Sequence, residues 1–206
     1  MGNKTTKVHR AEQAERKAAG ILHVPLDCKT LQTALKLAKK NRKWCHTIAV
    51  GKGEHQVEPN KDGSIIDFPI TIVGNGDKNE VVVVGGFKIV EGVTGNVHLQ
   101  NMTIRNWHGN DRRGCGVYGR SPFTLEDVIV QQGFGNGVYA SGTSCVAQCT
   151  NVEVCQCGYS GVSANDGGSI TLMGAKTTVH HNGTIGHDGL FGLVVYGASS
   201  KIQLEY

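Results

Sequence analysis

Short segments recur along this chain at nearly constant spacing, and that spacing constrains the fold more than any other feature. Gly116-Val-Tyr-Gly119, Gly137-Val-Tyr-Ala140 and Gly161-Val-Ser-Ala164 open alike, and Gly192-Leu-Val-Val195 follows as a fourth. A second set comprises Leu99-Gln-Asn-Met-Thr-Ile104, Leu125-Glu-Asp-Val-Ile-Val130, Cys149-Thr-Asn-Val-Glu-Val154 and Gly174-Ala-Lys-Thr-Thr-Val179. Both sets step along the chain by roughly 20–30 residues, a period that belongs to stacked repeats. Within these units apolar residues alternate, as where Val152 and Val154 flank Glu153. Period two marks a strand with one buried side. No helical pattern follows any of these strands, which excludes βαβ units.

A unit this short cannot bury its own inward residues, but stacked units can. The expected fold is all-β: a single-stranded, right-handed parallel β-helix, or solenoid, of roughly 24-residue coils. Each coil carries three short strands, exemplified by the Gly-Val-x-Ala motif, Phe123-Thr-Leu125 and Val128-Ile-Val130. Equivalent residues then form ladders. Val117, Val138, Val162 and Leu193 make one inward column, with Gly119, Ala140, Ala164 and Val195 beside it. Ile104, Val130, Val154 and Val179 make a β-branched column suited to a pleated buried surface. Cys145 and Cys149 take inward places as small core residues. Glycine, at 29 of 206 residues, fits a chain that turns at regular intervals.

The start of the chain differs. Residues 30–43 place Leu31, Ala34, Leu35 and Ala38 on one face at helical spacing, with Asp27 or Thr30 as N-cap and a basic last turn. The spacing predicts an amphipathic helix that closes the N-terminal end of the stack. The division expected is a basic tail over 1–26, the capping helix over 27–46 and β-helix coils over 47–206. The helix pattern Leu-Gln-x-Ala-Leu-x-x-Ala, followed by Ile48-Ala-Val-Gly-Lys-Gly-Glu54, resembles the opening of pectate-lyase-like right-handed β-helix proteins. Residues 55–96 fit that resemblance loosely, through Ile70-Thr-Ile-Val73 and Val81-Val-Val-Val84. In texture the chain is closest to uncharacterised β-helix proteins of unicellular eukaryotes, a group with no activity to carry over.

The resemblance implies an interest in acidic polysaccharides, whose chemistry needs particular groups on the outward ladders. Glycoside hydrolysis uses paired carboxylates at defined separation. The outward ladders are Tyr118, Tyr139, Ser163 and Val194; Thr103, Ile129, Glu153 and Thr178; and Arg105, Gln131, Cys155 and His180. None stacks two carboxylates. Arg105, Glu153 and His180 are the best polar set for catalysis, against the ordinary explanation of a solvated strand face. Asn106, Gln132, Gln156 and His181 form a polar ladder at a turn, of the kind that serves turn backbones. Asp111-Arg-Arg113 and His187-Asp188 are loop-borne alternatives. Tyr118 and Tyr139, stacked outward, make a flat amphipathic surface for a sugar or protein. Cys155-Gln-Cys157 lacks a second cysteine pair at zinc spacing, so no metal site is read there, and no cofactor is implied.

Charge is uneven. Residues 1–46 hold 11 Lys and Arg against three acids, which is +8, and the remaining 160 hold 10 against 14, which is −4. The basic head suits an anionic membrane surface. Met1-Gly-Asn-Lys-Thr-Thr6 matches the N-myristoylation pattern, with Gly2 as acceptor, and Lys4, Lys7 and Arg10 supply the basic second signal. The head lacks interleaved aromatics, which argues against nucleic acid. Seven cysteines and no secretory signal imply a reducing, cytoplasmic setting with peripheral membrane contact. At the other end Lys201-Ile-Gln-Leu-Glu-Tyr206 reads as a strand with no cap after it, so self-association through that edge or a truncated chain is expected. The expected function is a non-enzymatic scaffold or interaction module for protein or glycan, tethered through its N-terminus. The alternative is a polysaccharide lyase or C5-epimerase acting on an acidic glycan.

Overall fold

The computed structural model describes residues 14–16, 18–57, 64–105, 114–186 and 191–205. The chain winds as a parallel β-solenoid of about six turns with three faces. Sheet 1 holds β1 (Ile21–Val24), β2 (Thr47–Val50), β5 (Ile70–Gly74), the first halves of β8 (Val97–Arg105) and β10 (Phe123–Gln131), then β12 (Val146–Thr150), β15 (Ser169–Met173) and β18 (Lys201–Glu205). Sheet 2 holds β3 (Gly53–Gln56), β6 (Val81–Val84), the second halves of β8 and β10, then β13 (Glu153–Cys155) and β16 (Thr178–His180). Sheet 3 holds β4 (Ser64–Ile66), β7 (Phe87–Ile89), β9 (Val117–Gly119), β11 (Val138–Ser141), β14 (Val162–Asn165) and β17 (Leu193–Val195).

The expected ladders are the observed rungs. Val117, Val138, Val162 and Leu193 are paired in register, as are Ile104, Val130, Val154 and Val179. Nearly all of these inward residues are buried in one continuous core, and only the last coil exposes its members, with Leu193 and Val195 uncovered. Cys145 and Cys149 lie in that core with no exposed surface. The Gly-Val motif has a steric cause. A Cβ on Gly116 would meet Val130 Cγ1 at 2.3 Å, one on Gly137 would meet Val154 Cγ1 at 2.4 Å, and one on Gly161 would meet Val179 Cγ1 at 2.7 Å. Gly116, Gly137 and Gly161 therefore make room for the sheet 2 valine of the following coil.

The corners use left-handed backbone, and not only at glycine. Asn101, Asp127 and Asn151 turn sheet 1 into sheet 2 at φ of 54°, 50° and 53°. Gln132, Gln156 and His181 turn away from sheet 2 at φ of 55°, 56° and 52°. Such angles are uncommon outside glycine, asparagine and aspartate. At Asn101 the side chain compensates, because its Nδ2 donates to the carbonyls of Gly74 and Gly76 at 2.9 and 2.7 Å in the previous coil.

Helix α1 (Leu31–Lys40) lies between β1 and β2, where a regular coil would carry its second and third strands. It buries Leu31, Ala34, Leu35 and Ala38, the face read from the sequence. Thr30 is its N-cap and accepts from Thr33 N, whereas Asp27 accepts from His23 N at 2.9 Å. Lys39 and Arg42 both pair with Asp67 beside sheet 3, and Ser64 Oγ donates to Gln32 Oε1 at 2.8 Å.

Three expectations need correction. The tail does not extend over 1–26: Ile21–Val24 is the first strand of sheet 1, paired parallel with β2. Its alternating burial is visible over only four residues, too short a run to stand out. Residues 64–89, within the stretch where the sequence shows no clear ladder, form β4 to β7 in register with the later coils. And Gly174 does not stand on the rung of Leu99, Leu125 and Cys149; Leu172 does. The corner after β15 is longer than its counterparts, so the sequence motif slips by two positions while the rungs hold.

Candidate functional site

Sheet 2 presents two outward rungs. One runs Glu54, Val82, Thr103, Ile129, Glu153, Thr178, and the next runs Gln56, Val84, Arg105, Gln131, Cys155, His180. Period two puts Glu153 and Cys155 on the same face of β13, and the register puts His180 of β16 directly beside Cys155. His180 Nε2 lies 3.3 Å from Glu153 Oε1. Donor atoms of Glu153, Cys155 and His180 all fall within 4.8 Å of one another.

Arg105 does not join them. It is two strands away on its rung, roughly 9–10 Å at ordinary strand spacing, with Gln131 between. Its guanidinium turns the other way, to Glu54 at 3.5 Å. The polar set read from the sequence thus divides into a Glu153–His180 pair and an Arg105–Glu54 pair. Cys155, a mere neighbour on the rung when read from sequence, completes the first group. The signal that finds it is the interval from Cys155 to His180, which is one coil, so that the two are register partners.

The electrostatics of this cluster are those of a protonated thiol at rest. Burial pushes Cys155 up to about 11, and the adjacent Glu153 carboxylate, to which the thiol hydrogen-bonds, pushes in the same direction. A thiol so held is a poor nucleophile at neutral pH. His180 Nδ1 lies 2.7 Å from His181 Nδ1, with the two rings edge to face. His181 occupies the left-handed corner next to Gln156 and Gln132, and the two glutamines line a shallow groove of about 410 Å³ together with Phe134, Thr184 and Ile185. Asn182 braces the backbone at this corner, because its amide donates to Val154 O and accepts from Cys157 N, both at 3.0 Å.

Sheet 3 carries the aromatic pair. Tyr118 and Tyr139 are register partners on neighbouring coils, with ring centroids 5.2 Å apart and an interplanar angle of 25°. Lys88 Nζ sits 5.8 Å from the Tyr118 ring centroid, and Asn165 Nδ2 donates to Tyr139 Oη at 3.0 Å. Beyond Tyr139 the rung continues to buried Ser163, so the platform ends in a step. Burial pushes the Tyr118 phenol up, which keeps its hydroxyl neutral.

One acidic pair escaped the sequence reading because it lies in a turn. Asp77 and Glu80 are joined when Asp77 N donates to Glu80 Oε2 at 3.3 Å. Donation from Asn79 holds Asp77 below the usual carboxylate range, and donation from Lys52 does the same for Glu80. Both stay ionised, so neither is poised as a general acid. Gly2, Lys4, Lys7 and Arg10 lie outside the described residues, as do Asn106, Asp111–Arg113, His187–Asp188 and Tyr206. No helix among the described residues is long and apolar enough to cross a membrane.

Comparison with known proteins found no family model, no curated protein and no solved structure that matches the chain.

Proposed function

We propose that this β-solenoid is a non-enzymatic interaction module whose recognition face is the outer surface of sheet 3, and that its ligand is a glycan. The observation that carries this reading is the Tyr118–Tyr139 stack. Stacked on adjacent rungs, the two rings cover one face of each other, so the pair offers its hydroxyl edges and, above the small Ser163, the remaining face of Tyr139 to the apolar side of a sugar ring. The strands hold both rings in place, so little side-chain entropy is lost on binding. Lys88 and the step at Ser163 add a cationic and a polar boundary.

The helix-then-strand opening forms α1 and β2, which supports a place for the chain near the pectate-lyase-like β-helix proteins. Activity does not follow from that likeness, since sites are grafted on folds. The Gly2 motif and the basic head support a peripheral membrane tether in a reducing compartment. Mass spectrometry of the mature N-terminus tests the tether, and an unmodified Gly2 removes it.

The deciding experiment is a glycan array run beside an assay for unsaturated uronate products. Binding without turnover, lost in Tyr118→Ala and Tyr139→Ala, is the expected result. Release of unsaturated product overturns it in favour of a lyase. Binding that survives both substitutions moves the recognition face elsewhere.

A further inference from the structure

We propose that Glu153, Cys155 and His180 form a three-ligand site for a borderline-soft divalent transition-metal ion, zinc by its chemistry, with solvent in the fourth position. The first support is the donor set. Thiolate, imidazole and carboxylate together suit zinc and its first-row neighbours, while magnesium and calcium take oxygen ligands. The second is geometry. Zinc–nitrogen and zinc–oxygen bonds of about 2.0–2.1 Å at a tetrahedral angle place the two ligand atoms about 3.3 Å apart. His180 Nε2 and Glu153 Oε1 are separated by 3.3 Å. That is long for a charge-assisted hydrogen bond, which shortens to about 2.7–2.9 Å. The His98–Glu126 pair stands at a similar 3.4 Å, so what marks Glu153 and His180 as ligands is the third donor, Cys155, with all three donor atoms within 4.8 Å of one another.

The third support is how the ligands are held. Glu153 and Cys155 are two positions apart on β13, and His180 is the register partner of Cys155 on β16. Two hydrogen-bonded strands therefore fix all three Cα positions. Cys155 forms the floor at 5% exposure, and the half-exposed Glu153 and His180 form the rim. For Nε2 of a neutral His180 to bind metal, its proton must sit on Nδ1, where it can be donated in a hydrogen bond to His181 Nδ1 at 2.7 Å when His181 carries its own proton on Nε2. A partner on the far ring nitrogen is the usual way of fixing a ligating histidine. Cys157 is not part of the site, because the left-handed corner at Gln156 turns it into the core with no exposed surface. This explains how a site can exist where the Cys-x-Cys spacing alone excludes one.

Binding has a defined proton balance. The resting thiol is protonated, so an M²⁺ ion forms the metal–sulfur bond as the S–H bond breaks, and the proton goes to solvent. With one thiolate, one carboxylate and one neutral imidazole, the charge on the ion is cancelled. Affinity must therefore rise with pH.

The test uses the full chain, stripped with chelator and titrated with cobalt(II) and then zinc(II). The expected result is one ion per chain, bound tighter than about 10 µM, with a near-ultraviolet thiolate-to-cobalt band and the intense visible bands of tetrahedral cobalt. Cobalt binding to the stripped chain should release about one proton, read by calorimetry in buffers of different ionisation enthalpy, and zinc should then displace the cobalt with no further proton released. Cys155→Ser should abolish the thiolate band, and Glu153→Gln or His180→Gln should weaken binding at least tenfold. The last two are half-exposed surface changes that leave the core intact, and circular dichroism checks each fold. Cys157→Ser should leave the spectrum unchanged. Absence of saturable binding, or a thiolate band that persists in Cys155→Ser, overturns the assignment.

Discussion

Gly137→Ala tests the packing logic of the whole stack. The backbone at Gly137 is not in the left-handed region, so alanine meets no torsional penalty there. What it meets is matter. The new Cβ would lie 2.4 Å from Val154 Cγ1, 2.6 Å from the carbonyl oxygen of Gly161 and 2.9 Å from Cys157 Sγ. Gly161 O already accepts from Val138 N at 2.8 Å, so moving it away lengthens a rung hydrogen bond. Overpacking of this kind costs about 1–3 kcal/mol, and a weakened hydrogen bond adds about 1. Lower entropy in the unfolded chain returns about 0.4–1 kcal/mol. The expected net loss is about 2 kcal/mol, or about 4–8 °C in melting temperature for a chain of this size. Gly192→Ala is the control. It occupies the same motif position, but its Cβ would find only Val179 Cγ1, at 3.8 Å. There only the entropy term survives, and the variant should be neutral or about 0.5 kcal/mol more stable. Thermal melts followed by circular dichroism compare the two. Val154→Ala added to Gly137→Ala removes the valine contact but leaves the carbonyl, so the double variant should stay below the parent. If Gly137→Ala and Gly192→Ala melt alike, the motif glycines are not kept by contact with the following coil, and the reasoning fails.

Other parts of the molecule make their own demands. Asn101→Ala loses two hydrogen bonds and keeps a left-handed corner without the side chain that supports it, so urea denaturation should show a loss of about 3 kcal/mol, with Asn101→Gly recovering about 1 of it. Burial pushes the core thiols of Cys149 and Cys157 up to about 12. Because the folded state holds these protons more tightly than the unfolded one, their contribution is complete below the ordinary thiol pKa near 9 and is lost as pH rises toward 12. Each contributes a slope of about 1.4 kcal/mol per pH unit within that window, and Cys149→Ala should flatten the alkaline fall in stability measured by urea titration. Finally, Leu193, Val195 and Leu204 expose apolar surface on the last coil, and we propose that two copies associate there. Light scattering should show a concentration-dependent dimer that Leu204→Arg removes, and a monomer at high concentration in the parent would end the proposal.

The ladders from residue 97 onward were legible because successive coils reuse the same residue types at the same inward places. Val117, Val138 and Val162 repeat because the column is one environment sampled several times. The earlier coils were obscure for the same reason in reverse. Ser64-Ile-Ile66 and Phe87-Lys-Ile89 occupy sheet 3 without the Gly-Val opening, since Phe87 fills the space that later coils fill with valine. Gly174 misled because a glycine required by a corner, at φ of 91°, mimics the start of a motif. On the site, the outward rungs were correct to the residue. What they lacked was side-chain direction: Arg105 and His180 share a rung, but only the folded chain shows that they reach for different acids, Glu54 and Glu153. The Asp77–Glu80 pair could not be read at all, because a turn obeys no ladder.

The unequal corners have a practical meaning. The stretch from Gly116 to Gly137 is the shortest between motif glycines and that from Gly161 to Gly192 the longest, yet no rung slips. The interior is therefore blind to what hangs from its edges. A foreign peptide spliced into the corner after β16 would be displayed without renegotiating the core, and a second one placed a coil away would sit at a set distance from the first. The molecule can be used as a ruler, graduated in steps of about 4.8 Å.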